Sequence, residues 1–321
     1  MAEYKRNADR CQVERPRRGR VHRVARSAAL AGAAAGALLA AGSFALAYFG
    51  THPVRLPLWR SPAGEGMPSE DVEFASRDGL RLSGWFVPAR GARAVVVLCH
   101  GHPFNRCEML FWARMLWPRY HLLLFDFRAM GRSGGNTCTI GHEETRDLIG
   151  AVDYLARRPE TRGLPVGVVG LSMGGAAALM AAAEDPRIRA VATHGAYARL
   201  DRAIAQRGRV VLGPLGPALS RPATLVGRRW LGVDPCDVAP VKAIERIAPR
   251  PVLLMHGERD RIISPEDGRL LARAGGPTAE LWEVPGSGHQ RVAPGARAEY
   301  SRRLNAFLVR ALGEPAANRS P

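Results

Sequence analysis

Apolar residues recur along the chain in short runs that read as strands, at 71–76, 81–87, 94–99, 121–126, 166–171, 189–194, 251–256 and 280–284. Between them the pattern switches to helical spacing over 105–116, 142–157, 173–184, 265–274 and 296–312. Strands alternating with helices of this length predict an α/β fold: a mostly parallel eight-stranded sheet with helices on both faces. The first two runs meet through Arg77-Asp78-Gly79, a hairpin signal. The alternation spans 68–313 as one domain, a usual size for a wide α/β sheet, and no internal repeat interrupts it.

One stretch breaks the pattern. Residues 200–248 carry Gly208, Gly213, Pro214, Gly216, Pro217 and Pro222, then Trp230-Leu231-Gly232-Val233-Asp234-Pro235. That is too interrupted for one long helix. Two readings stay open: a short lid of small helices contributing to an acyl or leaving-group pocket, or a long crossover with one helix from Arg202 to Val211.

The N-terminus is a separate module. Residues 28–49 contain no charge, and eleven of these 22 are alanine. A bilayer needs about 20 apolar residues, so 27–50 can form a transmembrane helix. Ala45-Leu46-Ala47 also resembles a signal-peptidase site, which keeps a cleaved signal, and a secreted or periplasmic product, as the alternative. Residues 1–26 hold nine Lys or Arg, whereas only Arg55 and Arg60 lie in the Pro- and Gly-rich tether at 51–67. The positive-inside bias therefore sets the basic segment, 1–26, in the cytoplasm and the folded domain beyond the inner membrane, single-pass. Residues 314–321 read as a disordered tail.

Composition adds little chemistry. The formal net charge is +17, and all but two of the 46 basic residues are arginine. With so much alanine, glycine and proline, this reflects coding bias more than a nucleic-acid footprint. No recognition helix, stacking platform or zinc pattern supports nucleic-acid binding. Attraction to anionic lipid head groups is compatible with the charge. His100, His102 and Cys107 lack the spacing of metal ligands, and no metal or cofactor is implied. The five cysteines, Cys11, Cys99, Cys107, Cys138 and Cys236, define no disulfide framework and read mostly as buried thiols. Nothing in the sequence sets an oligomeric state.

The chemistry concentrates at Gly170-Leu171-Ser172-Met173-Gly174-Gly175, between an apolar strand run and an alanine-rich helical one. In that context G-x-S-x-G is a nucleophile elbow, with Gly170 and Gly174 removing side chains that would crowd the serine. The opening helix points backbone N–H groups at any anion beside Ser172. Chain order then directs the search for an acid and a base. His289, in Gly286-Ser287-Gly288-His289-Gln290, is the last histidine and follows a strand run. The acid should follow the preceding strand. Asp260 is chosen over Glu258, nearer the strand and facing another way, and over Asp267, inside the next helix. Oxyanion donors are expected from the Met173 N–H and, in the loop after 94–99, from the His102 N–H, because Pro103 has none to give. The His100 and His102 imidazoles read as turn packing. Asp126 and Arg128 read as loop support, and Glu143, Glu144 and Asp147 as the acidic start of a helix.

From Pro68 to Leu312 the chain resembles an α/β-hydrolase of the serine-aminopeptidase-like or prolyl-oligopeptidase-like type often found with one N-terminal membrane segment. The likeness rests on Asp78-Gly79-Leu80, His100-Gly101, Asp126-Phe127-Arg128-Ala129-Met130-Gly131-Arg132-Ser133, the serine elbow, Asp260 and His289. One departure is His102-Pro103-Phe104-Asn105, where small residues usually follow His-Gly. The resemblance implies a serine hydrolase cleaving an ester, thioester or amide through an acyl-enzyme, with a small acyl ester or short peptide as substrate. An aminopeptidase-like peptidase is the enzymatic alternative. A catalytically silent, membrane-anchored binding protein is the non-enzymatic one, opposed by the survival of serine, acid and histidine together.

Overall fold

The computed structural model describes residues 18–313. Most of the basic N-terminal segment, Cys11 and the tail at 314–321 lie outside the described residues. A long helix, α1 (Arg18–Thr51), comes first. Its portion through Gly42 belongs to one unit and the chain from Ser43 onward to a second. Within α1, Ala25–Thr51 is long and apolar enough to cross a membrane by length and composition.

The second unit is built on eight strands: β1 (Glu70–Ala75), β2 (Arg81–Val87), β3 (Val95–Cys99), β4 (His121–Phe125), β5 (Val166–Leu171), β6 (Ile188–His194), β7 (Val252–Gly257) and β8 (Ala279–Val284). They form one sheet in the order β1-β2-β4-β3-β5-β6-β7-β8. The first two strands run antiparallel to their neighbours and the rest are parallel. Period-two alternation sorts each parallel strand between two cores. Val95, Val97 and Cys99 face one layer, with Leu123 and Phe125. Val96 and Leu98 face the other, with Leu122 and Leu124. Both faces of these strands are buried, which is why they read as continuous apolar runs and not as alternating ones.

Helices cover both sides. Helix α2 (Leu110–Leu116) precedes β4 and α3 (His142–Arg157) follows it; α4 (Met173–Glu184) follows β5. Between β6 and β7 the chain forms α5 (Leu200–Leu212), α6 (Gly216–Leu231) and the short α7 (Pro240–Ala243), in place of a single crossover helix. Gly213 and Pro214 separate α5 from α6, which pack together as a hairpin. Then come α8 (Pro265–Gly275) and α9 (Arg297–Leu312). Leu148, Leu179 and Leu271 of α3, α4 and α8 join the first core. Leu110 of α2 and Leu304 of α9 join the second.

The segment read as a tether is docked onto the domain. Thr51 O accepts the Cys138 N–H at 2.8 Å. Arg55 donates to the Gly131 and Ser133 carbonyls at 3.2 and 2.5 Å, and Asn105 donates to the carbonyls of Leu56 and Pro57. Cys99, Cys107 and Cys138 are buried free thiols, while Cys236 is exposed.

Candidate active site

Strand β5 lies mid-sheet between β3 and β6, so its C-terminal end opens where the loops of both neighbours converge. Ser172 sits there, between β5 and α4, with φ 53° and ψ −117°. A non-glycine residue in that region is strained, and the surroundings must hold it. The Ser172 N–H donates to His194 O at 2.8 Å. A Cβ on Gly170 would strike the Gly174 backbone and lie 2.5 Å from Gly175 N; one on Gly174 would lie 2.6 Å from His100 O. Both glycines are therefore demanded by backbone that cannot yield.

His289 and Asp260 arrive from the loops after β8 and β7. His289 Nε2 lies 2.9 Å from Ser172 Oγ, and His289 Nδ1 lies 2.7 Å from Asp260 Oδ2. Asp260 is buried and its Oδ1 accepts the Ile262 and Ile263 N–H groups, each at 2.9 Å. Burial opposes its ionisation, but hydrogen bonds from His256 and His289 and from the backbone outweigh it and hold the carboxyl well below the usual carboxylate range. The competing acids point elsewhere. Glu258 accepts the Gly286 N–H, and Asp267 accepts the Ala198 N–H, each at 2.9 Å.

The loop after β3 runs beside the serine: a Cβ on Gly101 would lie 3.4 Å from Ser172 Cβ. Neither the His102 nor the Met173 N–H is taken up by an acceptor among the described residues. His100 shapes this turn. Its Nε2 accepts the Phe127 N–H at 3.0 Å, so the proton belongs on Nδ1, which donates to Gly101 O at 2.8 Å. Burial pushes the His102 imidazole down to about 3, which keeps it neutral. Asp126 accepts the backbone N–H groups of Arg106 and Arg132, while Arg128 bonds Asp147 and Asp78, so these residues brace the loop after β4 and do not reach Ser172. Glu143 and Glu144 lie in the first turn of α3. Among the described residues no three His, Cys, Asp or Glu side chains gather as metal ligands.

Several supporting residues escape sequence reading because their types are common and their neighbours are distant in the chain. Gly195, with φ 62°, leaves room for the base and acid: a Cβ there would lie 3.1 Å from His289 Nδ1 and 3.2 Å from Asp260 Oδ2. His256, the penultimate residue of β7, looks like a core position, yet its Nε2 lies 3.1 Å from Ile263 O and 3.5 Å from Asp260 Oδ2. Glu108 joins two loops. Its Oε2 accepts the Gly101 N–H at 2.9 Å, and its Oε1 accepts from the Gln290 amide, next to His289, at 3.2 Å.

A serine, imidazole and ionised carboxylate in line, with free N–H groups beside the serine, can deprotonate a hydroxyl and stabilise an oxyanion. Residues 96–302 match the family model described as "Alpha/beta hydrolase family", and the chain belongs to that family. The uncharacterized protein YqkD of Bacillus subtilis is 28% identical over 255 residues, covering 76% of this chain and 80% of that protein. The uncharacterized protein YfhR of Escherichia coli K12 is 26% identical over 234 residues, covering 69% and 73%. Among solved structures, an esterase of Pyrococcus furiosus matches with a TM-score of 0.70 and 26% identity, over 82% of this chain and 98% of that one.

Glu108 yields a pH prediction. Burial raises its carboxyl from the ordinary 4.5 to about 7. The folded chain then binds this proton more tightly than the unfolded chain does. The stabilisation is fully present below about pH 4.5 and is lost as pH rises through about 7. Glu108→Gln cannot titrate, so its stability relative to the parent should rise across that interval by at most about 3 kcal/mol. Urea unfolding at about pH 5 and about pH 8 measures it. A stability difference independent of pH would show that Glu108 does not titrate there.

Proposed function

We propose that this member of the alpha/beta hydrolase family is a serine hydrolase that cleaves a carboxylic ester through an acyl-enzyme, with Ser172 as nucleophile, His289 as base and Asp260 as its partner. The reading rests above all on the continuous contact from Asp260 Oδ2 through His289 to Ser172 Oγ, at 2.7 and 2.9 Å. With Asp260 ionised, Nδ1–H of His289 donates to the carboxylate and Nε2 is free to accept the Ser172 proton.

In this mechanism Ser172 Oγ attacks the carbonyl carbon as its proton passes to His289 Nε2. The imidazolium is stabilised by Asp260. The Met173 and His102 N–H groups donate to the oxyanion, each such donor being worth about 10²–10³ in kcat. Collapse expels the alkoxide, which takes the proton from His289. Water, deprotonated by the same nitrogen, then attacks the acyl carbon, and Ser172 recovers its proton as the carboxylic acid leaves. No step calls on a cofactor.

Ester is preferred to aminoacyl amide because among the described residues no Asp or Glu lines the cavity at Ser172, where Arg207 supplies the charge. A free α-amino group would find no counter-ion there. For α1 we propose a retained, single-pass inner-membrane anchor with the N-terminus in the cytoplasm and the hydrolase unit outside. The support is the length of its apolar span and the basic residues before it.

Fluorophosphonate should label the parent and not Ser172→Ala, whose activity falls on the order of 10³-fold or more, with His289→Ala equally impaired because the two act as a unit. Asp260→Asn should label far more slowly and lose up to roughly 10⁴-fold in kcat, since the amide favours the wrong imidazole tautomer. Labelling of Ser172→Ala at the parent's rate would remove Ser172 from this role.

At equal concentration a short acyl ester should turn over faster than an aminoacyl amide. The reverse order would favour a peptidase.

For topology, a C-terminal tag on intact cells should be lost to added protease once any outer envelope is permeabilised. Protection until the inner membrane is lysed would reverse the orientation, and a mature N-terminus at Tyr48 would overturn retention of the anchor.

A further inference from the structure

A cavity of about 480 Å³ opens at Ser172, within the size range of small-molecule sites. Its far wall comes from the α5–α6 hairpin, with Ile204, Leu212, Ala223 and Leu231. The facing wall has a different origin. It is formed by the last turns of α1 and the residues just after them, including Leu46, Ala47, Phe49 and Gly50. All of these residues belong to the unit that begins at Ser43.

Aromatic packing holds that wall to the hairpin. Trp230, near the end of α6, lies against Phe44, Tyr48 and His52, with ring centroids 5.7, 5.6 and 4.9 Å apart. The mouth is apolar as well. Phe49 and Val211 both line the cavity, yet they are 67% and 65% exposed. Val210, Leu215 and Leu225 of the hairpin and Val54 after α1 are exposed as well. Arg209, Arg221 and Arg229 are exposed on the same hairpin and make no ion pair among the described residues. A water-facing entrance edged with large apolar side chains is unfavourable. The same edge suits a bilayer interface, where aromatic rings and arginines both find partners.

We propose that the substrate is an ester with a long, unbranched acyl chain, drawn into this cavity from the lipid leaflet at the C-terminal end of α1, with the α5–α6 hairpin resting on that leaflet. The proposal rests on the serine-hydrolase reading of Ser172. It commits to the leaflet because Phe49, at the mouth, lies in the helix that is long and apolar enough to span a membrane, and because the exposed arginines complement anionic lipid. Bound this way, the carbonyl sits at Ser172 Oγ and the acyl chain runs between Ile204 and Leu46. Each methylene moved out of water should gain roughly fourfold in binding.

The test uses the full chain in vesicles of phosphatidylcholine and phosphatidylglycerol. The substrates are p-nitrophenyl acetate, butyrate, octanoate and dodecanoate, together with monododecanoylglycerol incorporated in the vesicles or supplied in detergent micelles. kcat/KM should rise at least about tenfold from acetate to dodecanoate, and Ala223→Trp, which fills the cavity, should cut the dodecanoate-to-acetate ratio by a similar factor. Val211→Asp, at an exposed position, should lower the ratio of vesicle-borne to micellar turnover of monododecanoylglycerol at least about fivefold. A parent that labels with fluorophosphonate and cleaves acetate but slows as the chain lengthens would overturn the acyl-chain site while leaving Ser172 its role. Equal vesicle and micelle turnover, unmoved by Val211→Asp, would overturn delivery from the leaflet. A parent that neither labels nor cleaves any ester would overturn the serine-hydrolase reading itself.

Discussion

Ser172 is held at φ 53°, in a backbone region that costs a non-glycine residue about 1–3 kcal/mol. Nothing local offsets that cost. It is met by the position of β5 between β3 and β6, by the hydrogen bond from Ser172 N to His194 O, and by a helix α4 whose alanines pack against the sheet. Small side chains matter there. Ala176, Ala177, Ala178, Ala181 and Ala182 are essentially inaccessible, so α4 can begin directly at the turn and lie close to the strands beneath it. The same turn that lifts the hydroxyl clear of the sheet also leaves the first N–H of α4 unclaimed beside it.

Everything else in the site is arranged around that fixed point by loops at the same sheet edge. Asp260 leaves β7, His289 leaves β8 and His102 leaves β3, so three parallel strands deliver three groups to one place. Parallel topology makes this possible, because every carboxyl end of such strands faces the same way. Buried polar groups then fix the loops. His194 illustrates the demand: its imidazole, pushed down to about 4 by burial, sits 3.4 Å from Gly288 O and 3.3 Å from the Tyr300 hydroxyl. A neutral ring with two partners can be buried cheaply where a charged one could not.

The parts legible in the sequence are those whose signal is local. Strand runs buried on both faces are continuous in Val and Leu, and α3 coincides with the helical pattern at 142–157. The run at 105–116 instead divides into a 3-10 turn, Arg106–Met109, and α2, with the Asn105 side chain accepting the Cys107 N–H at its start. The elbow is legible because steric need ties glycines to fixed offsets from the serine. Asp260 could be preferred to Glu258 and Asp267 from distance beyond the strand, and hydrogen bonds now occupy those two acids elsewhere. Glu108, Gly195 and His256 were not legible, because their meaning comes from partners far off in the chain. Glu108 and Gln290 are 182 positions apart. Nor does a Pro- and Gly-rich composition reveal that residues 52–67 are docked, since their anchoring relies on carbonyls accepting from Asn105 and on Arg55 reaching carbonyls of the loop after β4.

That docking bears on how an apolar N-terminal helix and a hydrolase could share one chain. A loose linker would let the helix end drift and leave the cavity open on one side. Here Thr51 O is bound to Cys138 N, and the Thr51 hydroxyl donates back to Ala47 O at 2.8 Å, so the last turn of α1 is fixed on the domain. The peptide bond after Ala47 lies inside the cavity wall, with Leu46 and Ala47 on one side and Phe49 and Gly50 on the other. Cutting it would remove part of the lining together with Phe44, one of the rings stacked on Trp230. The cavity wall as it stands therefore depends on Phe44, Leu46 and Ala47 remaining part of the chain. A chain cleaved at that bond would expose apolar lining to water at the point where an acyl chain is proposed to bind.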